Sequence, residues 1–341
     1  MRWARGRAVT DFQAEKGLVR RFHAELDAAG PDGPGAVLGR HLSEGHVWRG
    51  SHPFHVLNDA EEVAAAFWMP LRRAFTALRR RDDVFFAGRN EIDGFESVWV
   101  VSMGHLVGLF DRPWLGIPPT HRMAFLRHCT FHRVEGGRIA ETAMQFDLPH
   151  LMVQAGLRPF PPETGVTLVQ PGPASHDGLL HGPQPREEGE RTLALIDAMI
   201  GDLGTWNLGL PLEDELRRSW AEDMVWWGPT GIGATFTIPR YAAQHSRVFR
   251  RSFADRSPTR HVARLAEGSY GGFFGWPNFT ARPTGGFMGM PATDRAGEFR
   301  VIDIYRRDGD RLAENWVFID LLHFWSTQGV DILARAVELQ R

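Results

Sequence analysis

The feature of this 341-residue chain that most restricts its fold is an internal repeat. The segment that begins GIPPTHR at residue 116 aligns without gaps with the segment that begins GMPATDR at residue 289, at an offset of 173. Of the 41 aligned positions 14 are identical, whereas about three would be expected from average residue usage. A period of this length is too long for a solenoid, so each copy is predicted to be a domain.

A second block extends the repeat towards the N-terminus. HVWRG at 46–50 aligns with MVWWG at 224–228, and LRRAF at 71–75 aligns with FRRSF at 249–253. Both alignments have an offset of 178, so the segment between the two aligned blocks differs in length by five residues between the copies. The chain is therefore predicted to be a tandem duplication.

The two copies are separated by residues 159–189, which contain seven prolines and five glycines. Such a composition does not form regular helix or strand, and it predicts a semi-rigid linker on the surface. We therefore predict copy one at residues 1–158 and copy two at residues 190–341, joined by this linker.

Within each copy, helical patterns come before strand patterns. Residues 12–29 carry apolar residues at helical spacing, and a second helix is predicted to begin after Asp59, with Glu62 three residues later as in a capping box. Segments rich in Val, Phe and Ile then predict strands at 83–92, 97–109, 123–135 and 138–147. Helices followed by a meandering antiparallel sheet indicate the α+β class, with the helices covering one face of a curved sheet and leaving a concavity.

The overall composition excludes several classes of function. A formal net charge of −2 provides no strong basic field for nucleic acid or an anionic membrane surface. No apolar run of 18 residues occurs and the N-terminal segment carries charges throughout, so neither a membrane-spanning helix nor a secretory signal is predicted. The single cysteine, Cys129, allows no internal disulfide, which suits a reducing, cytoplasmic location.

Lys16 is the only lysine of the chain, and its polar neighbours predict that it faces solvent. Schiff-base and pyridoxal phosphate chemistry are therefore not expected. No P-loop sequence is present, and G-P-T-G-I-G at 228–233 lacks the order of a dinucleotide-binding loop. The histidines at 41, 46, 52, 55, 128 and 132 have no metal-ligand spacing, so no metal site is predicted either.

The last strand of each copy ends in a carboxylate. Because side chains alternate along a strand, Gln145 and Asp147 share one face in copy one, and Trp316 and Asp320 share the same face in copy two. If this face lines the concavity, each aspartate lies at its mouth or wall. A histidine, His150 or His323, follows three residues after each aspartate.

These motifs resemble a known family. The string G-[IM]-P-x-T, followed by R-x-x-G-x-R-[IL]-A-E and then by Asp, is similar to SnoaL-like polyketide cyclases of the nuclear transport factor 2-like superfamily. The resemblance is densest at 102–156 and 268–329. It implies a cone-shaped α+β domain with an interior pocket, and it implies that Asp147 and Asp320 are the catalytic acid/base residues.

The resemblance also implies a pocket histidine, for which His105 is the nearest match in copy one, whereas copy two offers Tyr270 in the corresponding stretch. The function it implies is the aldol-type cyclisation, or a related isomerisation or dehydration, of a hydrophobic, carbonyl-rich small molecule without a cofactor. A carboxyl group whose pKa is raised by burial can both remove and return the proton. The supporting residues predicted around the two aspartates are His105, His150, His323, Tyr270, Gln145, Trp48, Trp226 and Trp316.

Other interpretations of the same residues remain open. Asp147 and Asp320 fit the N-caps of short helices equally well, and His150 and His323 fit structural roles. The small residues beside Asp147 favour an open site in copy one over copy two. The alternative function is a non-catalytic small-molecule-binding or dimerisation module of the same fold. The two copies are expected to pack as an internal pseudo-dimer, and further association into homo-oligomers is left open.

Overall fold

The computed structural model describes residues 9–205 and 209–338 of the chain. The parts of the predicted domains that fall at residues 1–8, 206–208 and 339–341 lie outside the described residues. The elements of copy one are α1 (Gln13–Ala28), α2 (Pro34–His41), β1 (Leu42–Gly50), β2 (His55–Asn58), α3 (Ala60–Val63), α4 (Met69–Ala74), β3 (Phe75–Arg89), β4 (Val98–Phe110), β5 (Met123–Glu135), β6 (Arg138–Phe146) and α5 (Leu148–Gln154).

Copy two repeats this order of elements. Its elements are α6 (Arg186–Thr205), α7 (Leu212–Leu216), β7 (Trp220–Trp227), β8 (Thr235–Phe236), α8 (Ile238–Tyr241), α9 (Arg247–Ser252), β9 (Phe253–Ala254), β10 (Ala263–Glu267), β11 (Tyr270–Pro283), β12 (Gly297–Asp308), β13 (Arg311–Ile319) and α10 (Leu321–Thr327), followed by α11 (Ile332–Glu338). The predicted α+β class, with helices first and a sheet after them in each copy, is confirmed.

A one-turn π-helix lies at the same place in both copies. It spans Ala64–Trp68 between α3 and α4, and Ala242–Ser246 between α8 and α9, which is the offset of 178 found in the sequence. The helical stretch of copy one begins as predicted, since the Asp59 carboxylate accepts a hydrogen bond from Glu62 N at 2.9 Å. One-turn π-helices often occur at functional sites because the extra residue redirects the side chains around it.

Each copy has one curved sheet, and the strand order is the same in both. The order is β2-β1-β6-β5-β4-β3 in copy one and β8-β7-β13-β12-β11-β10 in copy two. The pairings β1–β6 and β7–β13 are parallel, so the sheets are not wholly antiparallel as the sequence suggested. In each copy the first strand of the sheet pairs with the last one, and most of the copy lies between them in sequence. The apolar periodicity of a strand does not indicate which distant strand it will pair with.

The W-x-G motif shared by the copies has a packing reason. Each tryptophan ring lies over the backbone of the glycine two residues later. A Cβ atom at Gly50 would lie 2.0 Å from Trp48 Cη2, and one at Gly228 would lie 2.0 Å from Trp226 Cζ3. Only glycine leaves room for the ring, so the motif fixes the orientation of Trp48 and Trp226 at the end of the first strand.

The two sheets pack against each other through the faces that point away from their own helices. The buried side chains of this inter-sheet core include Phe86, Trp99 and Phe131 from copy one. Copy two contributes Phe274 and Trp316, among others. Burial of this apolar surface holds the copies together.

Arg127 crosses the same boundary. Its guanidinium donates to the carbonyl oxygens of Val317 at 3.0 Å and Trp227 at 3.2 Å, and it lies 3.9 Å from the centre of the Phe318 ring. Both hydrogen bonds and the ring contact link copy one to copy two.

Lys16 is buried, and the prediction that it faces solvent is wrong. Its Nζ atom lies 2.6 Å from Glu267 Oε1 and 2.7 Å from the Leu180 carbonyl oxygen. The second oxygen of Glu267 accepts from Ala87 N at 2.8 Å. The lysine therefore joins α1, the connecting segment and β10, and the neighbours in sequence could not reveal a carboxylate 251 residues away.

The connecting segment is irregular but packed on the protein. Phe85 in β3 exchanges backbone hydrogen bonds with Gly178 and Leu180, each at 2.8 Å. The division of the chain at residues 158 and 190 stays a prediction. No helix within residues 9–205 and 209–338 has the length and apolar character needed to cross a membrane.

Candidate functional site

Asp147 and Asp320 each lie between the last strand of a copy and the helix that follows. Asp147 Oδ1 accepts a hydrogen bond from His150 N at 3.0 Å, and Asp320 Oδ1 accepts one from His323 N at 3.1 Å. These carboxylates are therefore the N-caps of α5 and α10, which is the structural alternative that the sequence left open.

The second oxygen of each carboxylate bonds to the other copy. Asp147 Oδ2 accepts from Thr230 N at 2.9 Å, and Asp320 Oδ2 accepts from His52 N at 2.9 Å. His52 and Thr230 are equivalent positions at the offset of 178, so the arrangement is reciprocal. We call these four hydrogen bonds the reciprocal caps.

The prediction that this strand face lines a concavity is wrong. Trp316 and Phe318 lie in the inter-sheet core, whereas the cavity of copy two is lined from the other face, by Asn315 among others. The alternation of side chains along the last strand correctly grouped the residues of each face. Because both faces of the strand are largely apolar, the sequence does not indicate which face lies towards the helices. A catalytic role for Asp147 and Asp320 stays a prediction, and the experiment proposed below tests it.

The predicted supporting histidines do not converge on one site. His323 Nε2 lies 2.9 Å from Glu298 Oε2, and His105 Nδ1 lies 3.5 Å from Asp83 Oδ2. His150 is buried, and this burial lowers its pKa although the neighbouring Asp147 opposes the shift. His105 lies close enough to His150 to lower the pKa of that imidazole further, whereas His323 lies in copy two.

The other predicted residues divide between the cores and one cavity. Gln145 is buried, and Tyr270 lies in the inter-sheet core with its hydroxyl donating to a carboxylate of the connecting segment. Trp316 lies in the same core. Trp48 lines a very small cavity in copy one, and Trp226 lines a much larger one in copy two.

The cavity of copy two has a volume of about 170 Å³ and lies between the helices and the inner face of the sheet. Its walls are mainly apolar and aromatic, and they include Trp220, Trp226, Phe249, Phe273 and Phe299. A cavity of about 150 Å³ is known to hold benzene, so this space accommodates a ligand of about one ring without rearrangement.

Asp303 is the carboxylate of this cavity. It lines the cavity and is partly exposed. Burial raises its pKa to about 7, while hydrogen bonds from Asn315 and Tyr305 act against that rise. Asn315 Nδ2 donates to Asp303 Oδ1 at 3.0 Å and to the Ile304 carbonyl oxygen at 3.1 Å, which fixes the orientation of the carboxyl group.

Two imidazoles line the same cavity. His245 stacks on Trp226 with 4.1 Å between ring centroids, and His261 stacks on Phe273 at 4.0 Å. Burial lowers the pKa of both histidines to about 3, so both are neutral at physiological pH. Within the described part of the chain, neither His245 Nδ1 nor His261 Nε2 has a hydrogen-bond partner.

The corresponding space in copy one is closed. Its volume is about 10 Å³, which is at the lower limit for one water molecule. Three of the positions that differ between the copies lie at this place: His245, Ser246 and Asp303 in copy two correspond to Phe67, Trp68 and Thr130 in copy one. Because larger apolar rings replace the first two side chains and a hydroxyl replaces the carboxyl, copy one has neither the space nor the acid.

Copy one has a buried histidine network instead. His23 Nε2 and His132 Nε2 are 3.2 Å apart, and Arg80 Nη1 lies 3.1 Å from His128 Nε2. Burial, followed by the positive charge of Arg80, lowers the pKa of all three histidines well below the usual value. The three histidines are therefore neutral and lie beside the charged Arg80 in a polar part of copy one.

Sequence reasoning missed Asp303, Asn315, His245 and His261. The strand VIDIY at 301–305 carried a usable signal, because a carboxylate inside an apolar strand is costly to bury. The alignment also showed that this carboxylate replaces a threonine of copy one. No three His, Cys, Asp or Glu side chains within residues 9–205 and 209–338 are grouped as a metal site would need.

One protein-family model matches part of the second repeat. Residues 275–326 match the family model of SnoaL-like polyketide cyclases. The resemblance to this family is thereby confirmed for the segment that runs from β11 to α10 and contains Asp303 and Asn315. No curated protein matches the chain.

Several solved structures are similar to about half of the chain. One is described as a SnoaL-like polyketide cyclase from Jannaschia sp. CCS1, with 22% identity over 47% of this chain and 100% of that chain and a TM-score of 0.36. A nuclear transport factor 2-like protein from Burkholderia xenovorans LB400 has 18% identity over 44% and 97%, with a TM-score of 0.32. An LEH-like epoxide hydrolase from M. tuberculosis has 14% identity over 45% and 96%, with a TM-score of 0.30.

Proposed function

We propose that copy two is an acid/base enzyme that acts on a hydrophobic small molecule with a carbonyl group, and that Asp303 transfers the proton. The observation that carries the proposal is the position of Asp303, a carboxyl group with a pKa of about 7 in a mainly apolar cavity. General acid/base catalysis is most efficient when the pKa of the group is near the working pH. At neutral pH this carboxyl group is divided between both forms, so it can accept a proton and return it.

The reaction that fits these residues begins on a carbon next to a carbonyl group. Asp303 as a carboxylate removes a proton from that carbon, and the resulting enolate attacks a second carbonyl carbon of the same molecule. The protonated Asp303 then returns its proton to the new alkoxide, which leaves the residue as it began. Asn315 holds the carboxyl group in one orientation during both transfers, so it is a positioning residue.

The match of residues 275–326 to SnoaL-like polyketide cyclases supports a cyclisation of this kind for copy two. For copy one we propose the non-catalytic alternative. Its cavity of about 10 Å³ and its Thr130 in place of the carboxylate favour a packing role, in which the sheet of copy one supports the outer face of copy two.

Proton exchange tests the proposal without knowledge of the natural substrate. Cyclohexanone has the size of one ring and exchanges its α-protons slowly in D2O, so proton NMR can follow the exchange with and without the protein. We expect the wild-type chain to accelerate the exchange and Asp303→Asn to reduce the acceleration by about 10²–10⁴, the usual contribution of a general acid/base.

Asp320→Asn is the matched variant, because it makes the same change at the end of the adjacent strand. If Asp320→Asn abolishes the exchange while Asp303→Asn retains it, the catalytic role belongs to the strand-end aspartates predicted from the sequence. If the wild-type protein binds the ketone without accelerating exchange, the binding-module alternative applies to both copies.

A further inference from the structure

Three histidines meet where copy one contacts copy two, beside one of the reciprocal caps. His52 lies in the turn before β2, His55 is the first residue of β2, and His323 lies in α10. The His55 ring packs edge to face on both of the others, with centroid distances of 5.3 Å to His52 and 5.4 Å to His323. Because His52 N donates to Asp320, the cluster adjoins the cap of α10.

Arg300 in β12 fixes the protonation state of His55 across the boundary. Its Nη1 atom lies 2.9 Å from His55 Nδ1. A guanidinium has only N–H donors, so Nδ1 must be the acceptor and the hydrogen of the neutral imidazole must lie on Nε2. Arg300 is 9% exposed, and its guanidinium lies 4.0 Å from the centre of the Trp276 ring. A proton on Nδ1 would remove the hydrogen bond and place two positive charges in contact.

The groups around His55 favour its neutral form. The charged and titratable side chains that face the cluster are Arg300 and Glu298 from β12, His323 and Asp320 at the start of α10, and His52 and Asp331 from the turns before β2 and α11. Burial lowers the pKa of His55, followed by the charge of Arg300, whereas Asp320 opposes the shift. Glu298 Oε2 lies 2.9 Å from His323 Nε2, so this carboxylate is engaged by the neighbouring imidazole.

The other junction, around Asp147, has no imidazole at the positions equivalent to His52 and His55. Thr230 and Gly233 replace them at the offset of 178. Arg127, the counterpart of Arg300, donates to backbone carbonyl oxygens, which take up no proton between pH 5 and pH 8. Acid can therefore break the inter-copy hydrogen bond of Arg300 and not those of Arg127.

We propose that the contact between His55 and Arg300 is an acid-sensitive latch between the two copies, which opens when His55 takes up a proton. Opening frees the turn before β2 from copy two and leaves the Arg127 junction closed. His55 is half-buried, so a proton can reach it from solvent. Below the ordinary histidine pKa of 6.5, the open form should gain about tenfold per pH unit over the closed form, as expected when only the open form binds the proton.

Hydrogen exchange followed by mass spectrometry measures this opening. Labelling times are scaled for the effect of pH on the intrinsic exchange rate, and the wild-type protein is compared at pH 7.5 and pH 5. We expect residues 51–58 to exchange at least about tenfold faster at pH 5, because the amide of His52 loses Asp320 when the latch opens. Residues 227–231, at the other junction, should not change.

His55→Asn holds the latch closed at both pH values. Asparagine offers an acceptor oxygen to Arg300, does not titrate, and tolerates the positive φ of 56° at this position. Its residues 51–58 should exchange equally at pH 7.5 and pH 5. His176→Asn is the matched control, since His176 is exposed and also has a positive φ, 57°, and this variant should behave as the wild type.

Three outcomes of this experiment would overturn the proposal. They are an unchanged wild type at pH 5, an acceleration in His55→Asn equal to that of the wild type, and an equal acceleration at residues 227–231, which would indicate general unfolding in acid.

A second measurement on the wild type covers the case in which His55→Asn fails to fold. In protein labelled with ¹⁵N-histidine, the Nδ1 resonance of His55 should be that of an unprotonated nitrogen at pH 7.5. It should become that of a protonated nitrogen over the same pH range in which residues 51–58 begin to exchange faster. Protonation of Nδ1 at pH 7.5, or protonation without faster exchange, would contradict the latch. No ketone is involved, so the result is independent of the Asp303 experiment.

Discussion

Replacement of Asp303 by asparagine should stabilise the protein, and more so at high pH. The folded protein holds this carboxyl group at a pKa of about 7, above the unfolded value of 3.8. A raised pKa means that the folded state keeps a proton that the unfolded state has already released. The stability from this group is therefore fully present below pH 3.8 and is lost as the pH rises through about 7. Asparagine has nearly the same shape and does not titrate. The unfolding free energy of Asp303→Asn therefore contains no contribution from residue 303 that falls as the pH rises.

The size of the effect follows from the two pKa values. Each pKa unit corresponds to about 1.4 kcal/mol, so the wild type loses up to about 4 kcal/mol of unfolding free energy between acid and pH 8. Between pH 5 and pH 8 the loss is about 2 to 3 kcal/mol. These are upper figures, because Asp303 is only partly buried.

Urea unfolding followed by circular dichroism at pH 5 and pH 8 measures the effect. The unfolding free energy of Asp303→Asn minus that of the wild type should increase between the two pH values, and the subtraction cancels the titration of all other groups. Asp294→Asn, which alters an exposed carboxylate of the same copy, should give the same difference at both. If Asp303→Asn behaves like this control, Asp303 is ionised throughout and the argument for its catalytic role fails.

Three further changes test other parts of the structure. Ser246→Trp, which copies Trp68 of copy one, should fill the cavity and abolish the acceleration of cyclohexanone exchange while the far-ultraviolet circular dichroism stays unchanged; retained acceleration would place the site elsewhere. Lys16→Met leaves Glu267 buried without its cation and should cost about 3–5 kcal/mol in urea unfolding. The double variant with Glu267→Leu should recover most of this loss, and a single variant of normal stability would refute the role of the pair. Asp147→Ala and Asp320→Ala each remove a helix cap and a hydrogen bond to the other copy, so each should lower the unfolding free energy by about 2–4 kcal/mol. Normal stability with loss of ketone exchange would instead support the catalytic role predicted from the sequence.

The fold was predictable because it depends on local patterns and on the repeat. The capped helix after Asp59 and the strand at 123–135 both occur where their residues indicated. The same alternation could not decide which face of the last strand the helices cover, since Trp316 and Val317 are both apolar and both buried. That decision depends on packing between the copies, which no pattern within one copy reports.

The site was harder to predict than the fold for a related physical reason. Asp303 acquires its raised pKa from residues of several strands and helices, which the sequence does not bring together. The sequence favoured the aspartate at the end of the last strand, and its presence in both copies did not decide between the two roles, because a duplication preserves structural devices as faithfully as functional ones. The residues that differ between the copies, Asp303 against Thr130 and His245 against Phe67, were the more informative signal.

The reciprocal caps make each half of the protein depend on the other for a complete helix end. Each aspartate uses one oxygen for its own helix and the other for the opposite half, so neither helix end is complete in an isolated half. Copy one has almost no interior cavity, but copy two still needs it, because copy one provides a hydrogen bond that completes the cap of a copy-two helix. Heating should therefore melt the whole chain in one calorimetric transition, and neither half should survive excision as an independent module.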